Sequence, residues 1–131
     1  MTITEHISSL PPDRQGIVTQ LHETITAGDA TVVAVIKPMM GKEMILYEQA
    51  CTMKYGLASA KDYLSLHCLP MYMDPAIHAK YLQLAPAAKF QKGCINFTGS
   101  QQLPVETVAA LIADCAPVNI AEVLANRKKK K

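Results

Sequence analysis

The chain has 131 residues, of which 50% are apolar and 18% charged, and this composition suits one folded domain rather than a disordered or membrane-spanning chain. Residues 127–131 are all basic, which leaves eight Lys and Arg against eleven Asp and Glu in the rest of the chain. A mildly acidic body excludes a basic nucleic-acid-binding domain, and we expect the basic residues to form a disordered tail capable only of weak contact with nucleic acid.

The first elements predicted along the chain are helical, followed by a strand. Residues 4–10 suggest a short extra helical turn, and the prolines before Asp13 suit the start of a longer helix that ends near Gly28. Residues 30–36, ATVVAVI, predict a β-branched strand that ends at Pro38. The apolar stripe of the long helix is Ile17, Val18, Leu21 and Ile25.

Two further strands are predicted in the middle of the chain. Residues 43–55, EMILYEQACTMKY, predict one strand, residues 56–62 a loop, and residues 63–68 a strand with one buried face. The first of these strands is expected to place Ile45, Tyr47, Cys51 and Met53 on one side, and Met44, Leu46, Ala50 and Lys54 on the other. The second is expected to place Leu64, Leu66 and Cys68 in the core, and Tyr63, Ser65 and His67 on the opposite face.

The last third of the chain predicts two longer helices separated by a strand. Asp74 and Pro75 form an N-cap and first-turn pair for a helix over residues 76–85. Residues 93–98 predict a strand, and residues 105–116 a helix. The buried positions expected on the two helices are Ile77, Tyr81 and Leu84, then Val105, Val108, Ala109 and Ile112, with Leu111 and Cys115 at the margins of the second stripe. Residues 120–126 predict a last short helix.

This order of elements predicts an α+β fold. The strands follow one another too closely for parallel crossovers throughout, so we expect a two-layer sandwich with an antiparallel sheet and helices packed on one face. The expected organisation is an N-terminal extension over residues 1–10, one domain over residues 11–126 and the basic tail over residues 127–131.

Three stretches of the sequence resemble the YdhG-like domain family, a small domain of unknown function. They are VVAVIKPMMGKEMILYEQA, KDYLSLHCLPMY and FQKGCINFTGSQQLPVETVAALI, and the resemblance covers roughly residues 14–115. It implies a frataxin-like layout in which two long helices cover one sheet. One branch of the family is regarded as frataxin-like iron-delivery proteins. An iron site needs clustered carboxylates, and the long first helix offers only Asp13, Glu23 and Asp29.

The residues with most chemical potential lie on the open side of the strand over residues 63–68. We expect a non-enzymatic binding module without a cofactor, in which Tyr63, Ser65 and His67, together with Lys92, contact a small ligand, a protein partner or a second subunit. A frataxin-like carrier of iron or another metal is the alternative, with His67 and His78 as its ligands. No nucleotide-binding, zinc-protease or calcium-loop motif is present in the sequence.

The cysteines and the first residues bear on location. The four cysteines are well separated and never form a C-x-x-C pair, and the first residues lack the pattern of a secretory signal. We therefore expect reduced thiols and a cytoplasmic protein.

Overall fold

A computed structural model gives the fold and describes residues 2–39, 42–49, 52–59, 63–91, 93–99, 101–120 and 122. The helices within these ranges are α1 (Ile3–Ser8), α2 (Pro12–Gly28), α3 (Leu69–Met73), α4 (Pro75–Leu84) and α5 (Val105–Cys115). The strands are β1 (Val33–Met39), β2 (Lys42–Gln49), β3 (Thr52–Ser59), β4 (Leu64–Cys68), β5 (Lys89–Phe90) and β6 (Cys94–Phe97). None of these helices is both long enough and apolar enough to cross a membrane.

The strands form one antiparallel sheet in the order β1-β2-β3-β4-β6-β5. Alternate residues of the strands enter a core that α2 and α5 cover, which confirms the predicted α+β fold. The strand residues of this core include Ile45, Tyr47, Tyr55, Leu57, Leu64, Leu66, Cys68, Ile95 and Phe97. Its helix residues include Val18, Leu21, Ile25, Val108, Leu111, Ile112 and Cys115.

The two long helices approach each other closely at Gly28, the last residue of α2. A Cβ atom at Gly28 would lie 2.8 Å from Ile112 Cγ2, so only glycine fits without movement of the buried Ile112 side chain. Gly16, in the first half of the same helix, has no neighbour within 4 Å of such an atom. Gly28 is therefore a packing position as well as the end of the helix.

The central strands differ from the prediction of one long strand followed by a loop. Gln49 pairs with Thr52, so β2 and β3 form a hairpin, and Gly56 to Ser59 belong to β3. Ala50 and Cys51, which follow Gln49 in the sequence, lie outside the described residues. Neither residue type is typical of a turn, so the sequence carries no local signal for a hairpin here. β1 also begins later than predicted and continues through Pro38, which an edge strand tolerates because one side needs no ladder hydrogen bond.

The helices confirm the predicted elements but shift some buried positions. Asp74 Oδ1 accepts a hydrogen bond from the Ala76 N–H, as expected of an N-cap. On α4, Leu84 is 55% exposed. On α5, Ala109 is exposed, and the buried stripe consists of Val108, Leu111, Ile112 and Cys115. The strand β5 was not predicted.

The terminal predictions are tested only in part. Ile120 is fully buried, whereas residues 123–131, with most of the predicted last helix and all of the basic tail, lie outside the described residues. α1 matches the extra helical turn predicted before the long helix, and a capping box between Thr2 and Glu5 begins it.

A β-bulge in β3 turns a lysine into the core. Tyr47 pairs with Tyr55 and the next residue, Glu48, pairs with Met53, which leaves Lys54 as the extra residue. Two consecutive side chains of a bulged strand can then point inward, so Lys54 joins Tyr55 in the interior and Met53 lies on the opposite face. The sequence prediction, based on strict alternation, grouped Met53 with Ile45 and Tyr47, and Lys54 with Met44 and Leu46. The bulge reverses both groupings.

Lys54 is neutralised by Asp29, the residue that follows α2. Lys54 Nζ lies 2.7 Å from Asp29 Oδ2, and both side chains are fully buried. The Tyr55 hydroxyl and the Thr31 backbone N–H also donate to the Asp29 carboxylate, at 2.8 and 3.0 Å. Burial alone would raise the pKa of Asp29, but the hydrogen bonds from Lys54, Thr31 and Tyr55 outweigh it and hold that pKa below its usual value.

Candidate functional site

The face of the sheet opposite α2 and α5 carries the predicted site residues. We call it the far face and define it by eight strand residues that the core leaves out: Met44, Leu46, Met53, Gly56, Ser65, His67, Cys94 and Asn96. The alternation predicted for β4 is confirmed, because Leu64, Leu66 and Cys68 enter the core.

The far face is less open than the sequence suggested. Ser65 is only 6% exposed and His67 is half-buried, whereas Tyr63, just before β4, is 41% exposed. On the same face, the Met44 side chain lies over Gly56, the residue paired with His67. Burial lowers the pKa of His67 below its ordinary value.

Pairing with β6 brings two polar residues to β4 that the sequence prediction did not include in the site. Asn96 lies opposite Ser65, and Cys94 lies opposite His67. The residues of β6 alternate between apolar and polar, which marks Cys94 and Asn96 as one face of a strand. The partner strand of β6 depends on the topology, so no local signal could have placed these residues beside His67.

One cavity of the far face, which we call the Tyr63 cavity, has a volume of about 400 Å³. Its polar lining includes Tyr63, Lys89, Gln91, Asn96 and Gln102. The Oδ1 atom of Asn96 is buried and accepts no hydrogen bond from any described residue. Buried polar atoms normally have a hydrogen-bond partner, so the unpaired Asn96 Oδ1 atom is an exception that a bound ligand would explain.

A second cavity, which we call the His67 cavity, has a volume of about 500 Å³. Met53, His67, Tyr72 and Cys94 line it, and Gln91 borders both cavities. The Cys94 thiol donates a hydrogen bond to Gln91 Oε1 at 3.1 Å. Burial raises the pKa of this thiol, and a hydrogen bond with Ser65 opposes part of that effect.

The other predicted site residues lie elsewhere. Lys92 is outside the described residues. His78 donates through Nε2 to the Gln91 carbonyl oxygen at 3.0 Å and lines a separate depression with Met71 and Tyr72. Among the residues that the structure describes, no group of three His, Cys, Asp or Glu side chains is placed to hold a metal ion.

Another cavity, larger at about 740 Å³, is a groove between α1 and α2. His22 lines it, but the imidazole Nδ1 is already hydrogen-bonded to the Tyr47 hydroxyl at 2.8 Å. No buried unpaired polar atom of the described chain faces this groove. The Tyr63 cavity, which is smaller, therefore offers the more specific binding chemistry.

The fold and these cavities define a class: a two-layer α+β protein with ligand-sized cavities on the sheet face that its two long helices do not cover. Comparison of the chain with models of protein families, with curated proteins and with solved structures finds no match. The resemblance to the YdhG-like domain family therefore stays a prediction from the three sequence stretches.

Proposed function

We propose that the protein is a non-enzymatic binding module that takes a small polar ligand in the Tyr63 cavity. The observation that carries this proposal is the buried, unpaired Oδ1 atom of Asn96. An unsatisfied buried acceptor costs about 1–3 kcal/mol. A ligand that enters the cavity, shifts the side chains that cover this atom and donates an N–H or O–H group to it removes that cost. The relief of this unpaired acceptor would therefore contribute to the free energy of ligand binding.

The other lining residues define the class of ligand. Lys89 pairs with Asn96 across β5 and β6 and places an exposed ammonium group near the amide. Tyr63 supplies a partly exposed aromatic ring at the same cavity. An ammonium group favours a carboxylate or phosphate, and an aromatic ring favours a flat or apolar body. These groups together suit a small acid that carries an amine or hydroxyl donor.

The same lining favours binding over catalysis. Apart from Lys89 and Tyr63, the polar side chains that described residues contribute to the cavity are the amides of Gln91, Asn96 and Gln102 and the hydroxyl of Thr98. Amide groups hydrogen-bond a ligand but do not exchange protons at neutral pH. The cavity is therefore suited to recognising a ligand without transforming it.

The test is a thermal-shift screen with small carboxylates and phosphates that carry an amine or hydroxyl group, with and without Asn96→Leu. We expect members of the panel to raise the melting temperature of the wild type and not that of the variant. A ligand at 100 times its Kd stabilises a protein by about 2.7 kcal/mol. The unliganded variant should be at least as stable as the wild type, because the substitution removes an unpaired acceptor rather than a contact.

Gln83→Leu is the matched control, since Gln83 is an exposed amide on α4 outside the cavity. It should keep the ligand-induced shift. Two results would contradict the proposal: a wild-type protein that no panel member stabilises, or a shift that survives in Asn96→Leu.

A second copy of the chain is the competing occupant of the far face. Tyr63 and Tyr72, which line the two cavities, are 41% and 47% exposed and offer aromatic surface of the kind found in protein interfaces. Light scattering separates the two cases. If the wild type is a dimer and Tyr63→Ser makes it a monomer, the result would favour self-association over a small ligand.

A further inference from the structure

His67 and Cys94 are direct neighbours across β4 and β6. They are paired in the antiparallel register and lie on the same face of the sheet, where such pairs hold their Cβ atoms about 4.5–5.5 Å apart. The Ser65 hydroxyl lies 3.5 Å from His67 Nε2, on the same face of β4. Both side chains line the His67 cavity.

Met53 brings a third donor atom to this cavity because of the bulge at Lys54. Without the bulge, strict alternation would place Met53 on the core side with Tyr55. With it, the Met53 side chain faces the His67 cavity together with Cys94. The β-bulge that buries Lys54 therefore also places the Met53 thioether in the cavity that the Cys94 thiol and the His67 imidazole line.

We propose that Cys94, His67 and Met53 form a binding site for copper(I). Thiolate and thioether sulfur atoms with an imidazole nitrogen are the donor set that a soft monovalent ion prefers. Hard ions such as iron(II) require clustered oxygen donors, and the described lining of this cavity holds no carboxylate. This site is separate from the Tyr63 cavity, so either proposal can fail without the other.

Binding of the ion requires a lone pair from the imidazole and the loss of a proton from the thiol. A neutral imidazole has one ring nitrogen with a free lone pair for a metal. The Cys94 thiol must lose its proton: copper(I) replaces the S–H hydrogen, one proton passes to solvent, and no electron is transferred. Gln91 Oε1, which accepts the thiol hydrogen bond in the metal-free protein, is then released.

The test is anaerobic titration of the full chain with copper(I), in competition with bicinchoninate as the colorimetric chelator and with ascorbate as a reductant free of thiols. We expect one ion per chain. Cys94→Ser should weaken binding more than 100-fold, since loss of a residue that merely supports a metal ligand already costs about 10–100-fold. His67→Gln and Met53→Leu should each weaken it by a smaller factor.

Met44→Leu is the matched control, because Met44 lies on the same far face but does not line the His67 cavity. It should bind copper(I) as the wild type does. X-ray absorption of the complex should show sulfur and nitrogen ligands together. Unchanged affinity in Cys94→Ser would overturn the proposal.

The buried pair Cys68 and Cys115 is the alternative site, because its two Sγ atoms lie only 3.7 Å apart. Alkylation mapped by mass spectrometry distinguishes the two sites in the wild type, without a variant that risks unfolding. Stoichiometric copper(I) should protect Cys94 from iodoacetamide. Cys94 that stays fully reactive in the complex would place the ion elsewhere and overturn the assignment.

Discussion

Lys54 Nζ lies 2.7 Å from Asp29 Oδ2 in a place where neither side chain touches solvent. Lys54 also donates to the carbonyl oxygen of Ala116, the residue that caps the C-terminal end of α5, at 3.0 Å. One ammonium group thus neutralises a carboxylate and satisfies a carbonyl that the helix leaves without an intrahelical partner. Its position also suits the negative end of the helix dipole.

We expect Lys54→Met to destabilise the protein by about 3–5 kcal/mol, because it leaves the buried Asp29 carboxylate without its counter-ion. Asp29→Asn should be similarly costly. The double variant should lose less than the sum of the two single losses, since it leaves no unpaired charge. Urea unfolding at pH 7 measures all three, and strictly additive losses would show that the two side chains do not interact.

Acid adds a second test of the same pair. The pKa of Asp29 is lowered in the folded protein, so its contribution to stability is complete above the unfolded value of about 3.9 and is lost as the pH falls through the folded value. Asp29→Asn should therefore flatten the acid limb of the stability curve below about pH 4. An acid limb identical to that of the wild type would contradict the lowered pKa.

Gly28→Ala and Gly16→Ala form a matched pair within α2. The first should destabilise by about 1–3 kcal/mol, because the new methyl group meets Ile112 in the core. The second should stabilise by about 0.5–1 kcal/mol, because it replaces glycine in an open helix position. Thermal unfolding of both variants checks the prediction, and equal effects would mean that α2 and α5 do not approach closely at Gly28.

Stability should fall between pH 7 and pH 5. Burial lowers the pKa of His6, His22 and His67, partly opposed at the first two by Glu43 and Glu23. Each histidine is then more readily protonated in the unfolded chain, so stability is complete above the unfolded value of about 6.5 and is lost as the pH falls through it. Each group contributes at most about 1.4 kcal/mol per pH unit.

Urea midpoints at pH 7.5, 6.0 and 5.0 measure this loss, and His67→Gln should reduce the slope. A curve that is flat over this range, or that rises as the pH falls, would contradict the lowered pKa values.

Arg14 should influence the Tyr63 cavity from a distance. Its Nη1 atom donates to Ser59 Oγ at 2.8 Å and to the Tyr63 carbonyl oxygen at 3.1 Å, so α2 holds the backbone at the start of β4. Arg14→Met should weaken binding of any panel ligand and speed hydrogen exchange at Leu64. Unchanged exchange at Leu64 would show that these bonds do not position the strand.

The predictable part of the fold was the part encoded locally. Residues 64–68 alternate cleanly, and α2 and α5 carry apolar residues at helical spacing, so each could be recognised from its own sequence. The bulge at Lys54 could not, because a lysine inside an alternating segment is normally a solvated residue. Its inward position depends on Asp29, which lies 25 residues earlier in the chain.

The candidate site divides in the same way. The face shared by Tyr63, Ser65 and His67 followed from the period of two residues along a strand. Cys94 and Asn96 reach that face only because β6, rather than β5, lies next to β4. The sequence of a strand does not show which other strand will pair with it. The residues that β6 contributes to the two cavities could therefore not be predicted from the sequence.

The contacts of Lys54 also bear on the order of folding. Its partners, Asp29 and Ala116, follow α2 and α5, so the contacts join three distant points of the chain and form only when the sheet and both helices have assembled. Interactions that are absent from the transition state slow unfolding without speeding folding. The buried lysine would then mainly lower the unfolding rate, and so lengthen the lifetime of the native state, with little effect on the folding rate.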